Sequence, residues 1–462
     1  MTDLIIYDTR SQQKRQFIPL NSHNIGIYVC GITVYDYCHI GHARTFIAFD
    51  VIVRYLKHKY GAQNVKFVRN ITDIDDKIIK RAQENNEPYT KLTARFIQAM
   101  HEDADNLGLL SPDAEPRATE YMPAMIKLIQ QILLKQHAYV AANGDVYYKV
   151  RSFPAYGSLA KRNLDDLACG ARVEVNEEKL DPLDFVLWKA AKPGEPQWDS
   201  PWGPGRPGWH LECSAMSMDL LGETFDLHGG GFDLIFPHHE NECAQSTAAT
   251  GKEFVKSWLH VGFLQIAKEK MSKSLNNFVT IREVLQQVHA EELRYFMLSG
   301  HYRSALEYSL DLIQQAKQPL ERLYTAIDSF AIAGVAAAKD TEYGERFMRA
   351  MDDDFNTPEA LAVLFDLVKE INKTNDLQQA AALVALLKEL GSILGLLQRD
   401  AATVLGKVEL TALDQHVQDL ISARNAARSS KNWAEADRIR AELSALGVAI
   451  DDTASGSTVK KL

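Results

Sequence analysis

Cysteine is scarce in this sequence. Five residues in 462, Cys30, Cys38, Cys169, Cys213 and Cys243, are odd in number and widely spread. That excludes a disulfide-stapled scaffold and suits a reducing compartment, with the thiols free or on a metal. A cytoplasmic protein is expected. No apolar run approaches the ~18 residues that cross a bilayer, and the start, Met1 to Asp8, has no basic stretch before an apolar core. Membrane insertion and export are therefore not expected. Basic surplus is missing too: 51 Lys+Arg against 61 Asp+Glu leave a net charge of −10. Any nucleic acid must be met by local basic surface. Tandem repeats are absent, and the alanine-rich run at 331–338 is too short for a repeat architecture. Proline nearly vanishes late in the chain, with only Pro319 and Pro358 beyond Pro237. Stretches such as Leu377–Leu397 instead carry apolar residues at helical spacing, so the second half reads as mostly helical.

What is present is ordinary globular material, 46% hydrophobic and 24% charged, in a length that implies two to four domains. Nine of the sixteen residues from Pro193 to Gly208 are proline or glycine, a density that predicts a connector or ordered loop. Before it the pattern alternates. Ile25–Cys30 reads as a strand ended by Gly31, Arg44–Tyr60 as a helix closed by Gly61, and Val65–Ile71 as a second strand. Strand, helix, strand is a βαβ unit, whose ligands sit beyond the carboxyl ends of the strands. Thr224–Leu227 and Trp258–Leu264 read as further strands around a helix at Glu240–Ala249. The fold class is α/β: a Rossmann-type parallel sheet split by an insertion, then an α-helical bundle and a small C-terminal module.

Chemistry gathers in three places. Cys38-His39-Ile40-Gly41-His42-Ala43-Arg44 puts two histidines on one helix face around a glycine, where a helix N-terminus favours a phosphate. Lys270-Met271-Ser272-Lys273-Ser274 sets two lysines three apart in a polar segment, able to clamp phosphates. Phe236-Pro237-His238-His239-Glu240-Asn241-Glu242-Cys243 places His238 with Glu242, and His239 with Cys243, at i and i+4 on neighbouring faces. Pro237 suits a helix's first turn. Spacing alone offers both pairs as metal ligands.

His39-Ile40-Gly41-His42 followed by Lys270-Met271-Ser272-Lys273-Ser274 resembles the signature pair of class I aminoacyl-tRNA synthetases. With Cys30, Gly208-Trp209-His210-Leu211-Glu212-Cys213 and the Pro-His-His-Glu-Asn-Glu run, the whole chain resembles the cysteinyl-tRNA synthetase family. The resemblance implies activation of L-cysteine by ATP to cysteinyl-adenylate and pyrophosphate, then transfer to the 3′ end of tRNA(Cys). It implies catalytic roles for His39, His42, Lys270 and Lys273, and an ATP site of His39, Gly41, His42, Gly230, Asp233 and Lys273, with Mg²⁺ accompanying ATP. It implies one zinc per subunit on Cys30, Cys213, His238 and Glu242, with Trp209 and Thr72 in the substrate pocket and Cys38, Cys169 and Cys243 as structural thiols. Cysteine and serine differ by little in size, so a plain pocket separates them poorly. Zinc lowers a thiol's pKa from about 8.5 and takes the thiolate far more readily than a hydroxyl. An insertion of about 85 residues is short for an editing domain.

The domains implied are two catalytic half-sheets, 1–120 and 206–265, an insertion at 121–205, a lysine-loop and stem-contact region at 266–305, a helical bundle at 306–400 and an anticodon module at 401–462. Asp352-Asp353-Asp354 is expected as a helix cap on solvated surface. From 421 to 446 five Arg/Lys face three Asp/Glu around Trp433. Such a patch suits a splayed anticodon base, and the resemblance assigns Arg428, Trp433, Asp437 and Asp452 to it. A monomer is expected. Two rival readings are a ligase passing cysteine to a small amine and a zinc- and RNA-binding scaffold without catalysis.

Overall fold

The computed structural model describes residues 3–164, 178–266, 269–270, 278–407, 414–453 and 456–461. They fall into two compact units, the first built from 1–314, 346–361 and 393–395, the second from 315–345, 362–392 and 396–462.

The first unit opens with a hairpin, β1 (Ile5–Asp8) and β2 (Gln13–Gln16). Then comes the βαβ unit: β3 (Ile25–Thr33), α1 (Ile40–Tyr60) and β4 (Val65–Thr72), the two strands parallel. β3 does not stop at Gly31 as its pattern suggests. A Cβ on Gly31 would lie 1.7 Å from the Asn70 carbonyl oxygen, so this glycine lets the strands run on through a register shift between Val29 and Ile32. α2 (Asp76–Glu84) and α3 (Tyr89–Asn106) follow.

The insertion contains α4 (Met122–Leu134) and an antiparallel sheet in the order β5 (Ala138–Val140), β6 (Val146–Tyr148), β7 (Phe185–Ala190), β8 (Gly205–Pro207). Part of the Pro/Gly-rich stretch is therefore a packed edge strand. A Cβ on Gly205 would come within 2.4 Å of both Trp188 Nε1 and Lys189 O, and one on Gly208 within 2.1 Å of Val186 O. Glycine here serves close approach of backbones.

The second half-sheet is α5 (Trp209–Leu221), β9 (Phe225–Gly231), α6 (Glu240–Thr250) and β10 (Val255–Val261). All neighbours in the sheet β10-β9-β3-β4 are parallel, the doubly wound arrangement the sequence pattern predicts. β9 runs through its glycines because a Cβ on Gly229 would strike the Phe49 ring at 2.2 Å. β10 ends before Gly262, where a Cβ would meet Arg303 O and Ser304 O at 2.5 Å. The expected tail of that strand is a separate element, β11 (Leu264–Ile266), paired with β12 (Glu269–Lys270) and β13 (Leu306–Glu307).

The acidic run corrects the reading of a solvated cap. Asp352 and Asp354 are buried, and only Asp353, paired to Lys14, is exposed. Asp352 accepts from Tyr55 Oη at 2.6 Å and Lys59 Nζ at 2.7 Å. Asp354 accepts from Tyr7 N, Tyr302 Oη and Arg303 Nε. The segment 346–361 belongs to the first unit.

The second unit is mainly helical, including Lys317–Phe330, most of Thr357–Lys373 and Leu377–Ile393. It ends in a helical pair, Gln415–Ser429 and Trp433–Ala445, and a hairpin, Val448–Thr453 with Gly456–Lys461. Val417, Ile421, Ile439, Leu443, Val448, Ile450 and Val459 form that module's core.

Candidate active site and metal centre

The carboxyl ends of the parallel strands open into a cleft of about 540 Å³. Its walls include Cys30 and Gly31 from β3, His39, Gly41 and His42 at the start of α1, Gly231 and Asp233 after β9, and Trp209.

α1 starts at Ile40, earlier than the expected Arg44, because His39 caps it. His39 Nδ1 accepts from His42 N and His42 Nδ1 accepts from His39 N, both at 3.2 Å. The rings stack with centroids 3.7 Å apart. Since each Nδ1 lone pair is used on backbone, a neutral ring carries its proton on Nε2. Gly41 has a sharper reason than access to the backbone: a Cβ there would lie 2.9 Å from both Cε1 and Nδ1 of His39.

At the cleft, sharing Cys30 with its wall, is a buried donor cluster. Cys30, Cys213, His238 and Glu242 are all buried, and one ligand atom of each lies within 4.8 Å of the others. Cys30 Sγ is 3.7 Å from Cys213 Sγ and 3.5 Å from Glu242 Oε1, which is 3.0 Å from His238 Nε2. Cys30 comes from β3, Cys213 from α5 and Glu242 from α6; His238 sits in the turn before α6. The extended Phe236 breaks the chain direction just before Pro237, and Pro237, His238 and His239 form a helical turn that runs on into α6, with His238 and Glu242 at i and i+4.

Burial pushes the Cys213 thiol up to about 11 and the Cys30 thiol well above its usual range, while it holds His238 well below. Thiols so buried stay protonated unless a cation lies among them. Two sulfurs, an imidazole and a carboxylate are an ordinary tetrahedral zinc set. His238 Nδ1 is 2.9 Å from His210 Nδ1; a proton donated by His238 there leaves its Nε2 lone pair for a cation.

A second set, Cys30, His228, His239 and Glu242, shares two members with the first. His228 Nε2 holds Glu242 Oε2 at 2.7 Å, and His239 Nδ1 is engaged by His260 Nε2 at 2.7 Å. The pair His239 and Cys243 is not brought together: Cys243 Sγ accepts from Arg10 at 3.8 Å.

Trp209, 38% exposed, stacks on the His238 ring at 4.2 Å and lines the cleft. Thr72 is buried, its hydroxyl donating to Glu212 Oε2 at 2.9 Å, and is not part of the cleft wall. Gly230 is likewise buried, against Leu234 and His239, and the neighbouring Gly231 lines the cleft. Lys270 lies on β12, its backbone paired with Gln265; Lys273 and Cys169 fall outside the described residues. Trp433 is 57% exposed and Asp437 exposed, Arg428 ends the preceding helix half-buried, and Asp452 lies in the last hairpin. Lys77, Phe232 and Phe263 also line the cleft and were not singled out by motif. Their signal was position alone, each just after a strand of the parallel sheet. His228 and His260 lay hidden inside strands.

A four-stranded parallel sheet with this histidine-capped helix at its carboxyl edge is the catalytic domain of a class I tRNA synthetase. Residues 16–318 match the family model for the tRNA synthetases class I (C) catalytic domain, 346–398 the DALR domain and 410–459 the Cysteinyl-tRNA ligase anticodon binding domain. Cysteine–tRNA ligase of Pseudomonas entomophila is 55% identical over 98% of this chain and 99% of its own, and that of Shewanella piezotolerans 55% over 99% and 100%. The chain belongs to the cysteine–tRNA ligase family. Among solved structures, Mycobacterium tuberculosis methionyl-tRNA synthetase bound by methionyl-adenylate shares the fold, with a TM-score of 0.60 at 16% identity, covering 86% of this chain and 95% of that one. No helix among the described residues is long and apolar enough to cross a membrane.

Proposed function

We propose that this chain forms cysteinyl-adenylate from L-cysteine and ATP in the cleft, then passes the cysteinyl group to the 3′ end of tRNA(Cys). The observation that carries the reading is the joining of a histidine-capped helix start and a sulfur-rich donor cluster at one cleft. In the first step the cysteine carboxylate attacks the α-phosphate and pyrophosphate leaves, so the protein must align reactants and neutralise charge; no enzyme nucleophile is needed. His39 and His42 donate Nε2–H to phosphate oxygens, their rings fixed by the mutual cap. Gly231 and Asp233 border the nucleotide; Lys273, assisted by Lys270, draws off pyrophosphate charge, and Mg²⁺ enters with ATP. Cys30, Cys213, His238 and Glu242 would hold zinc, which when bound favours a thiolate over a hydroxyl. His228 and His210 fix Glu242 and His238, and Trp209 walls the pocket. In the second unit Arg428, Trp433, Asp437 and Asp452 meet the anticodon. The protein works as a cytoplasmic monomer.

The test replaces zinc by cobalt. Adding cysteine should strengthen the sulfur-to-cobalt charge-transfer band, adding serine should not, and ATP–pyrophosphate exchange should require cysteine. A spectrum indifferent to cysteine would make the metal purely structural.

A further inference from the structure

The histidine-capped start of α1 is held by a segment from far along the chain. Ile40 N donates to Val279 O at 3.0 Å and Ile281 N to Cys38 O at 2.9 Å, so His39 and Thr280 face each other in an antiparallel bridge. Val279 follows Ser274, the end of the lysine-bearing run, by five residues. One short bridge therefore joins the two histidines to the chain that leaves the lysines. Two backbone hydrogen bonds are a slender tie, and a further contact is needed to keep the segment in register.

Arg282 supplies that contact. It lies in a short helix, α7 (Ile281–Leu285), which starts at a capping box of Thr280 and Glu283 and is seated by the buried Ile281 and Val284. Its guanidinium crosses to α3, where Nη2 donates to Ala99 O at 2.9 Å and to Glu102 Oε2 at 2.7 Å, and Nε lies 2.9 Å from Asp103 Oδ1. This last contact is an ion pair without hydrogen-bond alignment, since Nε and both oxygens of Asp103 have no hydrogen-bond partner. Asp103 is 1% exposed, and Arg282 is its one ion-pair partner among the described residues. Burial pushes its carboxyl up to about 6, against the pull of the guanidinium. A carboxylate so buried depends on its cation, and the two part only at a cost.

The same guanidinium lies over the Tyr37 ring, 5.1 Å from its centroid, and Tyr37 packs edge-on against Phe96 of α3 at 5.3 Å. Tyr37 stands two residues before His39 and lines the cleft. Arg282 thus grips both sides of the bridge: one through its own backbone, the other through Tyr37. It is not itself among the residues that wall the cleft.

We propose that Arg282 is a positioning residue for adenylate formation: anchored on α3, it holds Thr280 against His39 and so keeps the phosphate histidines and the lysine-bearing run in one register. The inference rests on the cleft being the adenylate site. Attack on the α-phosphate needs the charged groups aligned when the bond forms, so lost register falls on kcat more than on ground-state binding.

Arg282→Met keeps an apolar stem over Tyr37 and removes the charge and the donors. Cysteine-dependent ATP–pyrophosphate exchange should lose about tenfold or more in kcat, with KM for ATP and for cysteine within about twofold of the parent and the melting temperature lowered only a few degrees. Guanidinium ion, added below denaturing concentration, should restore part of the lost kcat, because the side chain is partly exposed and its place open to solvent. Arg282→Lys keeps the charge but cannot span Ala99, Glu102 and Asp103 at once, and should fall between the two. Hydrogen exchange reads the bridge directly: the Ile40 and Ile281 amides should lose protection in Arg282→Met. A kcat within about twofold of the parent, or unchanged protection of both amides, would overturn the proposal. So would a joint loss of kcat, substrate affinity and melting temperature that guanidinium does not restore, the mark of a merely structural residue. A parent without cysteine-dependent exchange would instead overturn the reading of the cleft, while amide protection would still show whether Arg282 holds the bridge.

Discussion

Gly41 carries more of the proposed phosphate site than its lack of side chain suggests. The mutual cap of His39 and His42 aims both rings, and a methyl at 41 would press on the His39 ring at two atoms 2.9 Å away. The ring must then turn and loosen a capping bond worth about 1 kcal/mol. Gly41→Ala should therefore slow pyrophosphate exchange about tenfold or more, with the melting temperature lowered only a few degrees, as measured by parallel kinetics and thermal unfolding. Lys273→Ala is predicted to cost roughly 10²–10³ in the same exchange, the scale of one preorganised charge donor, with little change in cysteine affinity. An unchanged kcat would remove Lys273 from the mechanism. The two substitutions differ in kind, since one misaims donors and the other deletes a charge.

At the scale of elements, periodicity located the strands and helices of the parallel sheet, because alternation and helical spacing are local properties. The ends of those elements were not legible: Gly31, Gly229 and Gly262 decide them through backbones and rings far off in sequence. Of the proposed metal ligands, His238 and Glu242 were legible at helical spacing and Cys30 and Cys213 only through the family resemblance; spacing left the His238 and His239 pairs equivalent, and the partners of each ring separate them. Asp352-Asp353-Asp354 shows the same limit. Its charges read as surface, and two of its three carboxylates are buried by Tyr55, Lys59, Tyr302 and Arg303. Removing Asp354 takes the acceptor from the buried Tyr302 hydroxyl and from an N–H of β1 and leaves the half-exposed Arg303 without this partner, so Asp354→Ala should lose about 2–4 kcal/mol in urea unfolding. Asp353→Ala, at an exposed pair, should change stability by less than about 1 kcal/mol. Equal effects would mean that the burial of Asp354 is not what binds this segment to the first unit.

Across the whole molecule, adenylate chemistry and RNA reading are assigned to different units, and the charge distribution supports that division. The chain is acidic at −10, while the helical pair near its end gathers cations around Trp433. Trp433 is 57% exposed, and the module's core is made by Val417, Ile421, Ile439, Leu443 and the hairpin valines and isoleucine. An exposed indole outside the core contributes little to folding, so a large effect of its removal must come from a ligand. One base–aromatic stack is worth about 1–3 kcal/mol, and Trp433→Ala should raise KM for tRNA by roughly 5- to 150-fold. Cysteine-dependent exchange and the melting temperature should hold, because neither the cleft nor the core contains this residue. Ile439→Ala is the control: it opens a cavity in the core and should unfold the module at lower temperature. A Trp433 variant that behaved like the Ile439 variant, losing stability and both activities together, would place the indole in folding and leave tRNA reading to other residues of the module.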